Sequence, residues 1–361
     1  MPIRITDIAK ALKVNAATVS RALNGQQGVS EEKRSQIIAY SKKMGYSPNA
    51  LARSLITKHS KLIGIILPDL NSPYYAGIAS GAGDYAVKHG YNLILCNSAR
   101  SRETEKQNLQ ILARHRVDGI IIVSLSAVCS DLQEMSNLGI RVVQADNIIS
   151  PRFSSVTNNN YLGAYVLIEH MIKCNWSKIA CILGNSHTYT TKERYRAFLD
   201  VTKKYEISDN CNQIIYTDST FDNGYKLTST LLEKGADSIF CINDVVALGV
   251  LKFCQDNHIK VPHELKVAGY DDLDVSSMIN IPLTTVHQHK HFLGYEAARQ
   301  LISEIELGEE SEKSSSVKIK LEPYLVARES CGENLLHWRQ VCRNLFESNF
   351  LTDARAQSDR C

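Results

Sequence analysis

Five side chains sit where α/β proteins do their chemistry, at or just beyond the carboxyl ends of β-rich runs. Asp146 closes "RVVQAD", Asn243 follows "IFCI", Asp271 follows "KVAGY", and Tyr74 and Tyr75 come after "LIGIILPDLNSP". A carboxylate only accepts hydrogen bonds, an amide both donates and accepts, and a tyrosine ring offers a face to stack on. Such a set suits a small ligand rich in hydroxyl groups, each needing a donor and an acceptor, with the rings stacking on a sugar or a base. Core packing of Tyr74 or Tyr75 is an equally good reading, and Asp244 reads more naturally as a helix N-cap. Catalytic signatures are missing from the sequence: it has no G-x-S-x-G elbow, no P-loop and no G-x-G-x-x-G after the first strand-like run.

The elements that must hold these residues alternate regularly. "LIGIIL", "YNLILC", "DGIIIV" and "RVVQA" read as strands, with helices near Tyr75–His89, Glu103–His115 and Asp131–Leu138 between them. The series then repeats. "KIACIL", "QIIY", "DSIFCI" and "KVAGY" alternate with helices near Lys192–Tyr205, Asp222–Lys234 and Asp244–Asn257. Alternation of this kind predicts parallel sheets with right-handed crossovers, in two similar lobes with the ligand between them at the strand ends. Chain crossings between the lobes are expected near residues 160, 288 and 320, and "GEESEKSSS" at 308–316 reads as a solvated turn before the last strand.

Ahead of this body lies a cationic segment. Residues 1–61 carry eleven Lys and Arg against three Asp and Glu, while the remainder carries 30 against 35. A net positive module on a mildly acidic body points to a polyanionic partner such as nucleic acid. The segment is patterned to fold. "TDIAKALKV" predicts a helix with Thr6 as N-cap and Ile8, Ala9 and Leu12 on one face. "NAATVSRALNG" predicts a second, with Asn15 as N-cap, Val19 and Leu23 inward and Gly25 as the stop. "SEEKRSQIIAYSKKMGY" predicts a third, capped by Ser30, with Ile37, Ile38 and Met44 inward. The short connection between the first two makes a helix-turn-helix.

"ITDIAKALKVNAATVSRALNG" followed by "VSEEKRSQIIAYSKKMGYSPNALARSL" resembles the headpiece of the LacI/GalR family of bacterial transcription repressors. "LPDLNSPYYAGI", "RVDGIII", "CINDVVALGV", "VAGYDD" and "PLTTVHQ" resemble its regulatory domain, so the likeness spans some nine tenths of the chain. The implied fold is an all-α helix-turn-helix headpiece (1–46) with a hinge helix and linker (47–60). A two-lobed regulatory domain like a periplasmic binding protein, with parallel sheets, would occupy 61–330. A C-terminal extension (331–361) follows, in which Leu335, Trp338, Cys342 and Leu345 have a/d spacing for barely two turns.

On this reading the second helix presents Ala16, Ala17, Ser20 and Arg21 to DNA, with Thr18 at its start and Asn24 at its end. Ala16 and Ala17 can only pack against a thymine methyl, which leaves Arg21 as the polar reader of a base. Thr6, Ser30, Tyr46 and Asn49 resemble phosphate-contacting positions, which set register. In the hinge, Ala52 lets two helices approach, and Leu55 matches the residue that wedges into the minor groove. Arg194 lies where the family places a ligand-gripping arginine. Thr190 adds a donor, with Thr188, Lys192 and His187 nearby. Ser219 stands where the family often has a stacking aromatic, and Phe221 is the nearest substitute. Lys13 occupies a turn position that is commonly glycine. A left-handed backbone there costs lysine roughly 1–2 kcal/mol.

The resemblance implies a repressor of a catabolic or uptake operon. It would be controlled by a sugar or sugar acid, bind a pseudo-palindromic operator as a homodimer or tetramer, and have no catalytic activity. The alternative, a solute-binding protein of a transporter, lacks a signal peptide and gives residues 1–61 no role. No apolar run is long enough to span a membrane, so a cytoplasmic, nucleoid-associated location is expected. Neither cofactor nor metal is expected: of ten cysteines none forms a C-x-x-C pair, and most lie in apolar runs, as reduced core thiols do.

Overall fold

The computed structural model describes residues 3–23, 25–46, 59–207, 213–308 and 315–332. Contacts divide the chain into two units, Met1–Ser60 and Lys61–Cys361.

In the first unit, α1 (Ile5–Ala11), α2 (Ala16–Leu23) and α3 (Glu31–Lys43) enclose a small core of Ile8, Ala9, Val19, Ala22 and Ile37. Caps set the helix starts. Asn15 Oδ1 accepts from Thr18 N at 2.7 Å, and Ser30 Oγ accepts from Lys33 N at 3.4 Å. Thr6 does not cap α1; it lies inside the helix, whose N-cap is Arg4, two residues earlier, with Asp7 accepting from Arg4 N at 2.9 Å. Ile38 and Met44 are not inward either, being 46% and 42% exposed. With Ile37 on the core, the next residue turns about 100° away, and Met44 falls past the helix end. Arg34 on α3 donates to the carbonyls of Ala22 and Gln26, fastening the turn after α2.

In the second unit, β1 (Leu62–Leu67), β2 (Asn92–Asn97), β3 (Gly119–Ile122), β4 (Arg141–Ala145), β5 (Ser154–Asn158) and β11 (Lys318–Leu321) form one parallel sheet, in the order β11-β5-β4-β3-β1-β2. A second parallel sheet has β6 (Ile179–Leu183), β7 (Gln213–Tyr216), β8 (Ser238–Cys241) and β9 (Lys266–Ala268) in the order β7-β6-β8-β9. β10 (Thr285–His287) and β12 (Tyr324–Val326) pair antiparallel. Apolar runs such as "IACIL" are buried along their whole length, as strands covered on both faces must be.

The first lobe carries α4 (Pro73–Lys88), α5 (Arg102–Arg114), α6 (Cys129–Asn137) and α12 (Lys290–Leu307). The second carries α7 (Asn160–Lys173), α8 (Tyr189–Lys204), α9 (Phe221–Glu233), α10 (Asp244–Asp256) and the short α11 (Val275–Met278). The chain changes lobe between β5 and α7, between β10 and α12, and between β11 and β12. Two glycines let α4 and α12 pack backbone to backbone. A Cβ on Gly81 would fall on the His291 carbonyl oxygen, and one on Gly294 on that of Ile78. No described helix is long and apolar enough to cross a membrane.

On α5, the first lobe buries a carboxyl with an unusual proton balance. Glu105 is 2% exposed and accepts from Ser124 Oγ at 2.7 Å. Burial, reinforced by Asp131, pushes it up to about 7 against the opposing hydrogen bond from Ser124. Between the ordinary glutamate value of about 4.3 and about 7, the folded chain holds a proton that the unfolded chain has lost, so stability falls as pH rises through that window. Glu105→Gln should remove this slope. Thermal melts from pH 5 to 8 should show the variant gaining on the native chain as pH rises, with the gain levelling off above about 7; parallel curves would contradict this.

Candidate effector cleft and DNA-reading helix

Between the lobes, at the carboxyl ends of both sheets, lies a cavity of about 620 Å³, a size suited to a small ligand. All eight residues expected to meet a ligand line it: Tyr74, Tyr75 and Asp146 from the first lobe, and Thr190, Arg194, Phe221, Asn243 and Asp271 from the second.

Their environments differ from what the sequence suggests. Tyr74 is only 5% exposed and belongs to the first-lobe core, so its hydroxyl rather than its ring serves the cleft. That hydroxyl donates to Asp146 Oδ1 at 2.7 Å and lies 3.2 Å from Gln288 Oε1. Gln288 Nε2 in turn donates to Asp271 Oδ1 at 2.6 Å. The two aspartates are thus tied together through the crossover residue between β10 and α12. Both have positive φ, 64° for Asp146 and 124° for Asp271, a backbone that L-residues seldom adopt and that strand ends at binding sites store as strain. Burial raises both carboxyls above the ordinary aspartate range, Asp271 by far the more, and the nearby Arg194 opposes the rise at each.

Arg194 is held on three sides. Its Nε donates to Asn160 Oδ1 at 2.9 Å, its Nη1 donates to the Ile242 carbonyl, and its guanidinium stacks 3.6 Å from the Tyr270 ring centre. It is a pre-aimed donor with little entropy left to lose. Asn243, not Asp244, caps α10: its Oδ1 accepts from Val246 N at 2.9 Å, so the cap engages the amide oxygen and not the amide nitrogen. Asp244 is fully buried and accepts from Thr285 Oγ1, Ser276 Oγ and Leu273 N, which fixes the loop that carries Asp271. Phe221 opens α9 at the cavity edge, 40% exposed, after Ser219 at φ 58°.

Lys192 and His187 line a neighbouring recess instead, while Thr188 borders both. Asp69, Arg100 and Asp218, which the sequence reading did not single out, also line the cleft. Arg100 pairs with Asp69 at 3.7 Å and donates from Nη1 to the Asp218 carbonyl at 3.0 Å, bridging the lobes at the mouth. Its place three residues after the end of β2 was the available signal.

In the first unit, α2 exposes Ala17 and Arg21. Ala16 is only partly outward, packing against the headpiece core, and Ser20 is half-buried. The Thr18 hydroxyl donates to Asn15 Oδ1 at 2.8 Å, so it reinforces the cap. Thr6 and Ser30 are exposed, and Tyr46 packs half-buried on the core. Asn24, Asn49, Ala52 and Leu55 lie outside the described residues. Lys13 does adopt the left-handed backbone, at φ 51°. Lys13→Gly should therefore stabilise the headpiece by about 1 kcal/mol, after allowing for the greater freedom of glycine in the unfolded chain. Calorimetry of the full chain should show the headpiece transition moving up; an unchanged or lowered transition would mean the lysine side chain offsets its strain.

A helix-turn-helix unit joined to a two-lobed parallel α/β body with a polar interlobe cleft defines the class of ligand-responsive transcription regulators. Residues 4–49 match the family described as "Bacterial regulatory proteins, lacI family", and residues 60–328 match "Periplasmic binding proteins and sugar binding domain of LacI family". The HTH-type transcriptional repressor PurR of Haemophilus influenzae (strain PittEE) is 30% identical over 329 residues, covering 90% of this chain and 98% of its own. The ribose operon repressor of Halalkalibacterium halodurans is 33% identical over 334 residues, with 91% and 98% covered. Among solved structures, the transcriptional regulator CelR in complex with cellobiose is similar with a TM-score of 0.68 at 26% identity, covering 91% of this chain and 99% of that one. The chain belongs to the LacI family, and it is a transcriptional repressor with an effector-binding domain.

Proposed function

We propose that this repressor responds to a neutral sugar bound in the interlobe cleft, and that as a homodimer it reads a two-fold operator through Ala17 and Arg21 of α2. The balance of charge in the cleft carries the choice of effector. Four aspartates line it (Asp69, Asp146, Asp218 and Asp271) against two arginines (Arg100 and Arg194). Even with both buried carboxyls protonated the lining is not positive, so a sugar acid would meet no net attraction. Hydroxyl groups, by contrast, find carboxyl acceptors beside amide and guanidinium donors, and Phe221 offers a ring edge. The names of two relatives, a ribose operon repressor and a cellobiose complex, favour the same ligand class. Turnover is no part of this reading, because Asp146 and Asp271 are engaged by Tyr74 and Gln288 rather than poised as an acid and a base.

In a thermal-shift screen of the full chain, a neutral sugar should stabilise by about 2.7 kcal/mol at a hundredfold excess over its Kd. Arg194→Lys should weaken that response at least tenfold. Uronic acids or purine bases acting while neutral sugars do not would reverse the assignment.

For DNA, two headpieces related by a two-fold axis imply a palindromic site. Ala17 would pack against a thymine methyl, Arg21 would bond a guanine edge, and Leu55 would enter the minor groove. Selection from random duplexes should yield a half-site whose preference at one base pair collapses in Arg21→Ala, a loss of about 1–3 kcal/mol. A logo unchanged by the substitution would place Arg21 on phosphate.

A further inference from the structure

Cysteine spacing gave no reason to expect a metal, but the fold assembles a ligand set from residues 161 apart in sequence. His170 lies in the last turn of α7 and Cys174 is its C-cap, one turn on and on the same face. Cys331 closes the 3₁₀ turn Glu329–Cys331. One imidazole nitrogen faces both sulfurs: His170 Nε2 is 3.2 Å from Cys331 Sγ and 3.5 Å from Cys174 Sγ. All three ligand atoms lie within 4.8 Å of one another, and the residues are 1%, 6% and 1% exposed respectively for His170, Cys174 and Cys331.

We propose that His170, Cys174 and Cys331 form a structural zinc site that fastens the end of the regulatory domain to α7. Bonds of about 2.3 Å to sulfur and about 2.0 Å to nitrogen, at tetrahedral angles, put such ligand atoms roughly 3.6 Å apart. The two nitrogen–sulfur separations need open by only a few tenths of an ångström. Charge favours a divalent cation, and two thiolates with an imidazole are a donor set that suits zinc. Two thiolates and Zn²⁺ sum to zero and can be buried at modest cost, whereas Cu⁺ would leave a buried negative charge. The site also lies at the carboxyl end of α7, where the helix dipole favours a cation. Binding releases the two thiol protons, and the fourth tetrahedral position falls to one further donor; the Arg328 carbonyl, 3.1 Å from Cys331 Sγ, is an oxygen beside the site.

The site is remote from the effector cleft. Gly332 packs by Pro262 and Lys266 at the amino end of β9, whereas Asp271 follows its carboxyl end. Zinc here would therefore stabilise the second lobe without touching the ligand.

The test uses full-length protein purified under reducing conditions without chelator. Elemental analysis should find about one zinc per chain in the native protein and in Cys129→Ser, a control thiol in the other lobe, and little in Cys331→Ser or His170→Asn. After chelation, added zinc should raise the melting temperature of the native chain but not of Cys331→Ser, with folding of each variant checked by circular dichroism. Cobalt(II) should give a thiolate-to-metal charge-transfer band that Cys331→Ser lacks. Metal retained undiminished by Cys331→Ser, no metal in the native chain, or a Cys174–Cys331 disulfide in its place would each overturn the proposal.

Discussion

Two carboxyls placed out of water across a cleft from one another are the constraint around which the body is organised. Asp146 and Asp271 come from different lobes, and each would be costly to bury alone. Their burial is offset by the Tyr74 hydroxyl, the Gln288 amide and the guanidinium of Arg194, which stands near both. None of these partners is itself loose. Tyr74 is packed in the first-lobe core, Arg194 is held by Asn160, Ile242 and Tyr270, and Gln288 sits where the chain crosses between lobes. The polar floor of the cleft is thereby shared property of both lobes, and its geometry depends on how they stand to one another.

Much of this arrangement is legible in the sequence, for a physical reason. Parallel strands buried on both faces must be apolar runs, so "LIGIIL" and "RVVQA" coincide with strands to the residue. Strand ends then point to the cleft, which brings Asp146, Asn243 and Asp271 into one cavity. The unread elements are those whose pattern is disguised. β5 is "SSVTN", a fully buried strand made mostly of polar side chains, and it carries Asn158, which donates to Tyr74. Arg100 works through the Asp218 backbone carbonyl, which leaves no trace in residue type.

Single-residue roles were harder to read because neighbours compete for the same bond. Asn243 and Asp244 are adjacent cap candidates, and tertiary partners decided between them: Thr285, Ser276 and Leu273 claim Asp244, so Asn243 takes the cap. In the headpiece, Ile37 and Ile38 are equally apolar, and only helix phase separates the buried one from the exposed one. Thr6 lost its expected place to a start set by Asp7 reaching back to Arg4.

The glycine contacts between α4 and α12 give the first lobe an unusual mechanical property. Backbones pressed together at Gly81 and Gly294 leave no compressible side-chain layer, so the two helices can pivot or slide only as a single strut. One end of that strut holds Tyr74 at the cleft, and the other element starts two residues after Gln288. The closest backbone packing in the first lobe thus runs along a helix of sixteen residues that begins at the cleft.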